Sequence, residues 1–133
     1  MAESARVLII DSGKILLLHR FKNGKEYYSL PGGNVGDNET ISEAAVREAK
    51  EETDLTVVLG EKIWEYFNPY NQSMGYYFLV QSFTGEPMFL GPETQTSTNK
   101  YSLVWMPLAK LYSLTFYPEE IKTRIFEKFV VNS

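Results

Sequence analysis

The segment that most constrains this chain is a glycine-rich break followed by a strongly predicted helix. The Pro-Gly-Gly run at 31–33 interrupts regular structure and opens a loop that extends to about Glu39. Thr40 and Glu43 then match a capping box, in which the hydroxyl and the carboxylate each satisfy a backbone N–H at a helix start. Strong helix formers continue to about Thr53. The pattern predicts one central helix preceded by a structured loop.

The charge pattern of this helix is unusual. At about 100° per residue, Glu48, Glu51 and Glu52 lie within an arc of about 100°, which overlaps the apolar face of Ala44 and Ala45. The opposite side carries Lys50, Glu43 and Arg47. A helix whose glutamates only keep it soluble places them away from its apolar residues. This helical-wheel projection alone leaves two interpretations open, a solvated acidic helix and an inward-facing acidic site.

Three neighbouring carboxylates repel one another, and near a protein surface each pair costs on the order of a kcal/mol. Arg47 can reach a glutamate four residues away, but one arginine cannot neutralise three acids. Hard divalent cations prefer oxygen ligands, and Mg²⁺ is usually shared between carboxylates and substrate phosphates. An inward-facing acidic site would therefore bind Mg²⁺ or Mn²⁺ and act on phosphate compounds.

The remaining chain alternates strand-like runs with turns. Residues 6–11 and 15–21 have the pattern of a hairpin, and a terminal helix is expected over 118–130. Residues 85–99 have the composition of a long loop. Further strands are expected at 27–30, 55–59, 62–67, 75–83 and 101–106. This order predicts an α/β (α+β) layer protein with helices on a mixed sheet.

Size and composition narrow the class of protein. A chain of 133 residues fits a single domain over 1–133. The net charge of −4 argues against a stable nucleic-acid partner, although a metal ion could still bring a nucleotide's phosphates to the chain. Cysteine is absent, and no apolar run approaches the length of a membrane helix. We expect a cytoplasmic protein without a membrane partner, and a homodimer stays open.

The spacing around the acidic helix resembles a known motif. Gly33-x5-Glu39-x7-Arg47-Glu48-Ala49-x-Glu51-Glu52-x-Asp54-Leu55 is similar to the box of the Nudix (MutT-like) hydrolase family, Gly-x5-Glu-x7-Arg-Glu-U-x-Glu-Glu-x-Gly-U. The preceding Tyr-Ser-Leu-Pro-Gly-Gly at 28–33 looks like the family's lead-in, and 103–111 is similar to its strand-then-turn ending. The resemblance covers most of the chain in the family's order.

This resemblance implies a Nudix-type α/β/α sandwich with a central mixed sheet. It also implies a nucleotide pyrophosphohydrolase that uses Mg²⁺ or Mn²⁺ to direct water against a diphosphate linkage. Its substrate would be a nucleoside diphosphate derivative such as a nucleoside triphosphate, an ADP-ribose-like compound or a nucleotide sugar. Pro69 and Tyr70 resemble markers of two different substrate classes, so the pattern leaves the substrate undecided.

The resemblance assigns roles to individual residues. Glu48, Glu51 and Glu52 would bind metal, with a backbone carbonyl at Gly32 or Gly33 completing the site. Arg47 would orient a glutamate, and Glu39 would hold the loop or meet a metal through water. The general base would be a box glutamate or an acid of the late loop, where Glu93 is the candidate. Arg20 could reach a phosphate or face solvent.

Three positions depart from the family pattern. Asp54 replaces the box's last glycine and Asn38 replaces a common glycine, but both residue types tolerate the left-handed backbone region. Ala49 replaces a bulkier aliphatic residue. None of these changes removes a metal ligand.

Two alternatives differ in class. A non-catalytic Nudix-like nucleotide-sensing or interaction domain typically loses box glutamates, and all of them are present here. An isoprenyl diphosphate isomerase of the same fold expects a catalytic cysteine, and this chain contains none. A panel of candidate substrates separates the hydrolase from the sensing domain.

Overall fold

Residues 2–89 and 98–131 are described by a computed structural model, and within them lie eight strands and two α-helices. In chain order the strands are β1 (Ala2–Leu8), β2 (Ile10–Asp11), β3 (Lys14–Lys22), β4 (Lys25–Ser29), β5 (Gly32–Asn34), β6 (Thr56–Asn68), β7 (Ser73–Thr84) and β8 (Asn99–Pro107). Helix α1 (Ile41–Thr53) lies between β5 and β6, and β8 is followed by a 3-10 helix (Leu108–Ser113), helix α2 (Glu119–Phe126) and a π-helical turn (Glu127–Val131).

The predicted fold class is confirmed, because the chain is a mixed α+β protein with a mixed sheet and one main helix. It forms two compact units. The described part of the first comprises residues 2–9 and 30–89, and that of the second comprises 10–29 and 98–131. The expectation of a single domain over 1–133 stays a prediction. No helix within the described ranges is long and apolar enough to cross a membrane.

The first unit contains a four-stranded sheet in the order β5–β1–β7–β6. β1 runs parallel to β7 and antiparallel to β5, which makes the sheet mixed. Helix α1 packs against β1, β5 and β6. It buries Ala44, Ala45 and Ala49 completely, and these small side chains let the helix backbone approach the sheet closely. The helix therefore lies directly beside the glycine-rich strand β5.

In the second unit, β3 pairs with β8 along its length, and β2 and β4 share its other edge. Residues 15–18 of β3 are all buried, so both faces of this strand are covered. Ile121 and Ile125 form the buried side of α2, as the predicted apolar stripe required. The ammonium of Lys122 donates hydrogen bonds to the carbonyls of Tyr112 (3.2 Å) and Leu114 (2.9 Å), which satisfies groups at the end of the 3-10 helix.

The predicted hairpin of residues 6–11 with 15–21 is largely wrong. Only Ile10 and Asp11 pair with β3, whereas Arg6 belongs to β1 in the sheet of the first unit. The local turn signal was real, but the longer run pairs with β7, which follows much later in the chain. Such long-range pairing leaves no local signature.

Two further expectations need correction. The Pro-Gly-Gly run was expected to break regular structure, yet Gly32–Asn34 forms β5 and pairs with β1. The strands expected at 55–59 and 62–67 are one continuous strand, β6, whose register shifts beside Gly60 where it pairs with β7. The expected long loop at 85–99 lies partly outside the described residues, which exclude 90–97.

Candidate active site

Local backbone chemistry sets the bounds of α1. The Thr40 side chain accepts a hydrogen bond from the Glu43 N–H, and the Glu43 carboxylate accepts one from the Thr40 N–H, which confirms the capping box. Asp54, the residue that caps the C-terminal end of the helix, has the left-handed conformation (φ 62°), and Asn38 in the preceding loop has φ 64°. The expectation that these two residues tolerate the left-handed region in place of glycine is confirmed.

Glu52 lies on the side of α1 that faces β5. One of its carboxylate oxygens accepts a hydrogen bond from the backbone N–H of Gly32 at 2.7 Å. Burial raises the pKa of this carboxyl above its ordinary value, and Glu48 and Glu51 raise it further, while the Gly32 N–H and the nearby Arg6 lower it. The net direction is upward, so the positive groups near Glu52 do not fully offset the burial of its charge.

Arg47 binds three other acids of this region, Glu39, Glu48 and Glu51. Its Nε and one Nη hold the Glu39 carboxylate at 2.6 and 3.0 Å. The other Nη donates to Glu48 and to Glu51, both at 2.8 Å, and the Asn34 carbonyl accepts the last hydrogen bond at 3.0 Å. All donors of the guanidinium are therefore engaged, because this group carries five N–H bonds. In this arrangement Arg47 positions glutamates and has no N–H left for a substrate.

Gly33 allows Glu48 to lie directly beside β5. A Cβ at this position would collide with the Glu48 carboxylate, so only glycine leaves room for this carboxylate in its observed position. The Glu48 side chain is 17% exposed, whereas that of Glu51 is 57% exposed. Glu48 and Glu52 thus line the β5 side of the helix, and Glu51 reaches solvent beside them.

The helical wheel was right for Glu48 and Glu52 and only partly right for Glu51. The wheel placed Arg47 on the opposite side, but the expectation that its side chain reaches a glutamate four residues away is confirmed by its contact with Glu51. Within residues 2–89 and 98–131, no three acidic or histidine side chains are arranged ready to enclose a metal ion.

Sequence reasoning missed several groups around these acids. The Arg6 guanidinium donates to the carbonyls of Leu30 (3.2 Å) and Gly32 (3.4 Å), and it lowers the pKa of Glu52. The Gly32 N–H and the Asn34 carbonyl hold Glu52 and Arg47. No sequence signal could reveal these partners, because β5 meets β1 and α1 only in the folded chain. Glu93, the late-loop candidate for the general base, lies outside the described residues.

We expect the Glu39–Arg47 pair to give a pH-dependent contribution to stability. The hydrogen bond from Arg47, followed by that from the Gly36 N–H, lowers the pKa of Glu39 to about 2. A lowered carboxyl pKa contributes stability above the ordinary value of 4.5, and this contribution disappears as the pH falls toward 2. Urea unfolding of wild type and Glu39→Gln should differ above pH 5 and converge toward pH 2. A difference that stays constant down to pH 2 would contradict the ion pair.

Comparison with known proteins agrees with this arrangement. The model of the NUDIX domain matches residues 2–128. A Bacillus subtilis protein named "Putative 8-oxo-dGTP diphosphatase" is 35% identical over 92 residues, which cover 69% of this chain and 61% of that protein. An ADP-ribose pyrophosphatase of Methanocaldococcus jannaschii is 31% identical over 115 residues, which cover 86% of this chain and 66% of that protein. The chain thus spans slightly less than two thirds of these curated relatives.

A solved structure supports the same fold. It is described as MutT from Aliivibrio salmonicida and Vibrio cholerae, and it superposes with a TM-score of 0.76 at 20% sequence identity. The alignment covers 96% of this chain and 98% of that one. At this identity the likeness concerns the fold alone. With the domain match across residues 2–128 and the motif on α1, the chain belongs to the NUDIX family.

Proposed function

We propose that this chain is a divalent-metal-dependent hydrolase that cuts the diphosphate linkage of a nucleoside diphosphate derivative. The observation that carries the proposal is the pair of partly buried carboxylates, Glu48 and Glu52, held against the glycines of β5 in a family of phosphorus-anhydride hydrolases. We also propose that it acts in the cytoplasm on a small-molecule substrate.

The donor set fits a hard divalent cation. Glu48, Glu51 and Glu52 would supply carboxylate oxygens, and the backbone carbonyl of Gly32 or Gly33 would add a further oxygen. Mg²⁺ and Mn²⁺ prefer oxygen ligands of these two kinds. Burial raises the pKa of the Glu52 carboxyl, so a cation bound beside it would favour the charged carboxylate. A bound cation would supply charge stabilisation to the phosphate oxygens and acidify a water molecule.

The chain's own residues would position the reactants. One Nη of Arg47 binds both Glu48 and Glu51 and so offsets their mutual repulsion, and the same guanidinium fixes Glu39 to the loop before the helix. The backbone N–H of Gly32 fixes the Glu52 carboxylate, so this ligand needs little reorganisation. The general base must lie within hydrogen-bond reach of the attacking water. A box glutamate and Glu93 both stay candidates for this role.

We expect a substrate panel to give turnover with at least one nucleoside diphosphate derivative. The panel contains ordinary and oxidised nucleoside triphosphates, ADP-ribose, nucleotide sugars and dinucleoside polyphosphates, because relatives are named for 8-oxo-dGTP and for ADP-ribose. Released phosphate and nucleotide are measured with Mg²⁺, with Mn²⁺ and with chelator. If no compound is hydrolysed while nucleotides still bind, the chain is a nucleotide-sensing domain and the hydrolase proposal fails.

A further inference from the structure

Arg6 of β1 binds the backbone segment that leads into β5. Its side chain lies over Gly32, because a Cβ added to Gly32 would come within 2.7 Å of the Arg6 Cα and 2.8 Å of its Cδ. One Nη of Arg6 donates hydrogen bonds to the carbonyls of Leu30 (3.2 Å) and Gly32 (3.4 Å). These residues all belong to the first unit. Arg6 therefore binds the backbone on both sides of Pro31.

The segment before β5 takes its hydrogen bonds from β1. The Pro31 carbonyl accepts one from the Val7 N–H at 3.0 Å, so two neighbouring residues of β1 bind three successive carbonyls, 30–32. The Gly32 N–H belongs to the peptide unit that lies between the two carbonyls bound by Arg6, and it donates to Glu52. Glycine has the widest backbone freedom of all residues. The contacts from Arg6 therefore restrict the direction of the Gly32 N–H.

The charge of Arg6 acts on the same site in the opposite sense. Its positive charge reaches Glu52, because it lowers the pKa of that carboxyl. A nearby positive charge repels a metal cation, so charge alone would make Arg6 unfavourable for metal binding. A group that orients a metal ligand has the reverse effect, and its removal typically weakens metal binding by about 10–100-fold. The two effects of Arg6 thus predict changes of opposite sign.

We propose that Arg6 is a positioning residue of the metal site, which directs the Gly32 N–H and through it the Glu52 carboxylate. It does so by holding the two peptide units on either side of that N–H. A carboxylate that is already oriented needs little reorganisation when a cation binds. The inference rests on the proposed function in taking Glu52 to be a metal ligand.

Two substitutions of Arg6 test this role. Arg6→Met removes the charge and both hydrogen bonds but keeps an unbranched side chain beside Gly32. Arg6→Lys keeps the charge and can restore the hydrogen bonds, because both come from a single Nη and the planar fork of arginine is not used. Binding of Mn²⁺ to the full chain is measured by electron paramagnetic resonance of the free ion, without nucleotide. We expect Arg6→Met to weaken binding about tenfold and Arg6→Lys to bind nearly as wild type does.

The Gly32 amide reports the same role in the absence of metal. In wild type it donates a 2.7 Å hydrogen bond to a carboxylate, which moves its proton resonance downfield and slows its exchange with solvent. By NMR we expect an upfield shift and faster exchange in Arg6→Met, and wild-type behaviour in Arg6→Lys. Lys62→Met is the matched control, because it removes a positive charge from β6 of the same sheet, where Lys62 pairs with Glu65. It should change neither measurement.

Thermal unfolding shows whether each variant is folded at the temperature of measurement. If Arg6→Met does not fold, Arg6→Gln replaces it, since the glutamine side chain is too short to bind both carbonyls. The proposal is overturned if the variant binds Mn²⁺ as tightly as wild type or more tightly, if its Gly32 amide is unchanged, or if Lys62→Met has the same effects. A wild-type chain that binds no Mn²⁺ would contradict the metal site of the proposed function, and the Gly32 amide would still decide the role of Arg6.

Discussion

Glu52→Gln is expected to reduce metal-dependent hydrolysis by about 10³-fold while the protein stays folded. A metal ligand contributes several kcal/mol of charge stabilisation in this class of reaction, which corresponds to a loss of this size. Glutamine keeps an oxygen that can accept the hydrogen bond from the Gly32 N–H, so the contact between α1 and β5 should survive. Activity is measured on whichever compound of the substrate panel is hydrolysed.

Thermal unfolding distinguishes a metal ligand from a purely structural glutamate. Burial raises the pKa of the Glu52 carboxyl, so its charge disfavours the metal-free fold. The metal-free variant should therefore unfold at the same or a higher temperature than wild type, and Mg²⁺ or Mn²⁺ should no longer raise that temperature. Glu61→Gln, which changes an exposed glutamate of β6, is the matched control. Wild-type activity or a full metal-induced shift in Glu52→Gln would remove this residue from the metal site.

Gly32→Ala is expected to destabilise the fold by about 2–4 kcal/mol. Gly32 has φ 150°, a conformation that residues with a Cβ rarely adopt. An added Cβ would also lie 2.7 Å from the Cα of Arg6 in β1, a backbone atom that cannot simply rotate away. The pairing of β5 with β1 would have to shift, and with it the N–H that holds Glu52. Urea denaturation measures the loss.

Substitutions at two other glycines separate the cost of the backbone conformation from the cost of the steric collision. Gly24 has φ 82° but nothing within 4 Å of an added Cβ, so Gly24→Ala should cost only about 1 kcal/mol for the backbone conformation. At Gly33 an added Cβ would meet the Glu48 carboxylate, which can move, so Gly33→Ala should lose activity much more than stability. If Gly32→Ala were no more destabilising than Gly24→Ala, the result would contradict the close approach of β5 to β1.

The amino-acid sequence was sufficient where structure depends on near neighbours. The capping box at Thr40, the left-handed residues Asn38 and Asp54, and the bounds of α1 all follow from backbone groups a few residues apart. The motif spacing identified the family for the same reason, since it specifies side chains along one helix and its loop. The fold class was therefore predictable from the order of local elements.

Tertiary structure decided which groups from the neighbouring strands surround Glu52. β1 joins β5 and β7 rather than β3, and this pairing brings Arg6 and the Gly32 N–H to Glu52. Strand partners are chosen by burial and register across long stretches of chain, which local patterns do not encode. Motif spacing thus predicted the residue types of the site, and packing determined their burial, charge and partners.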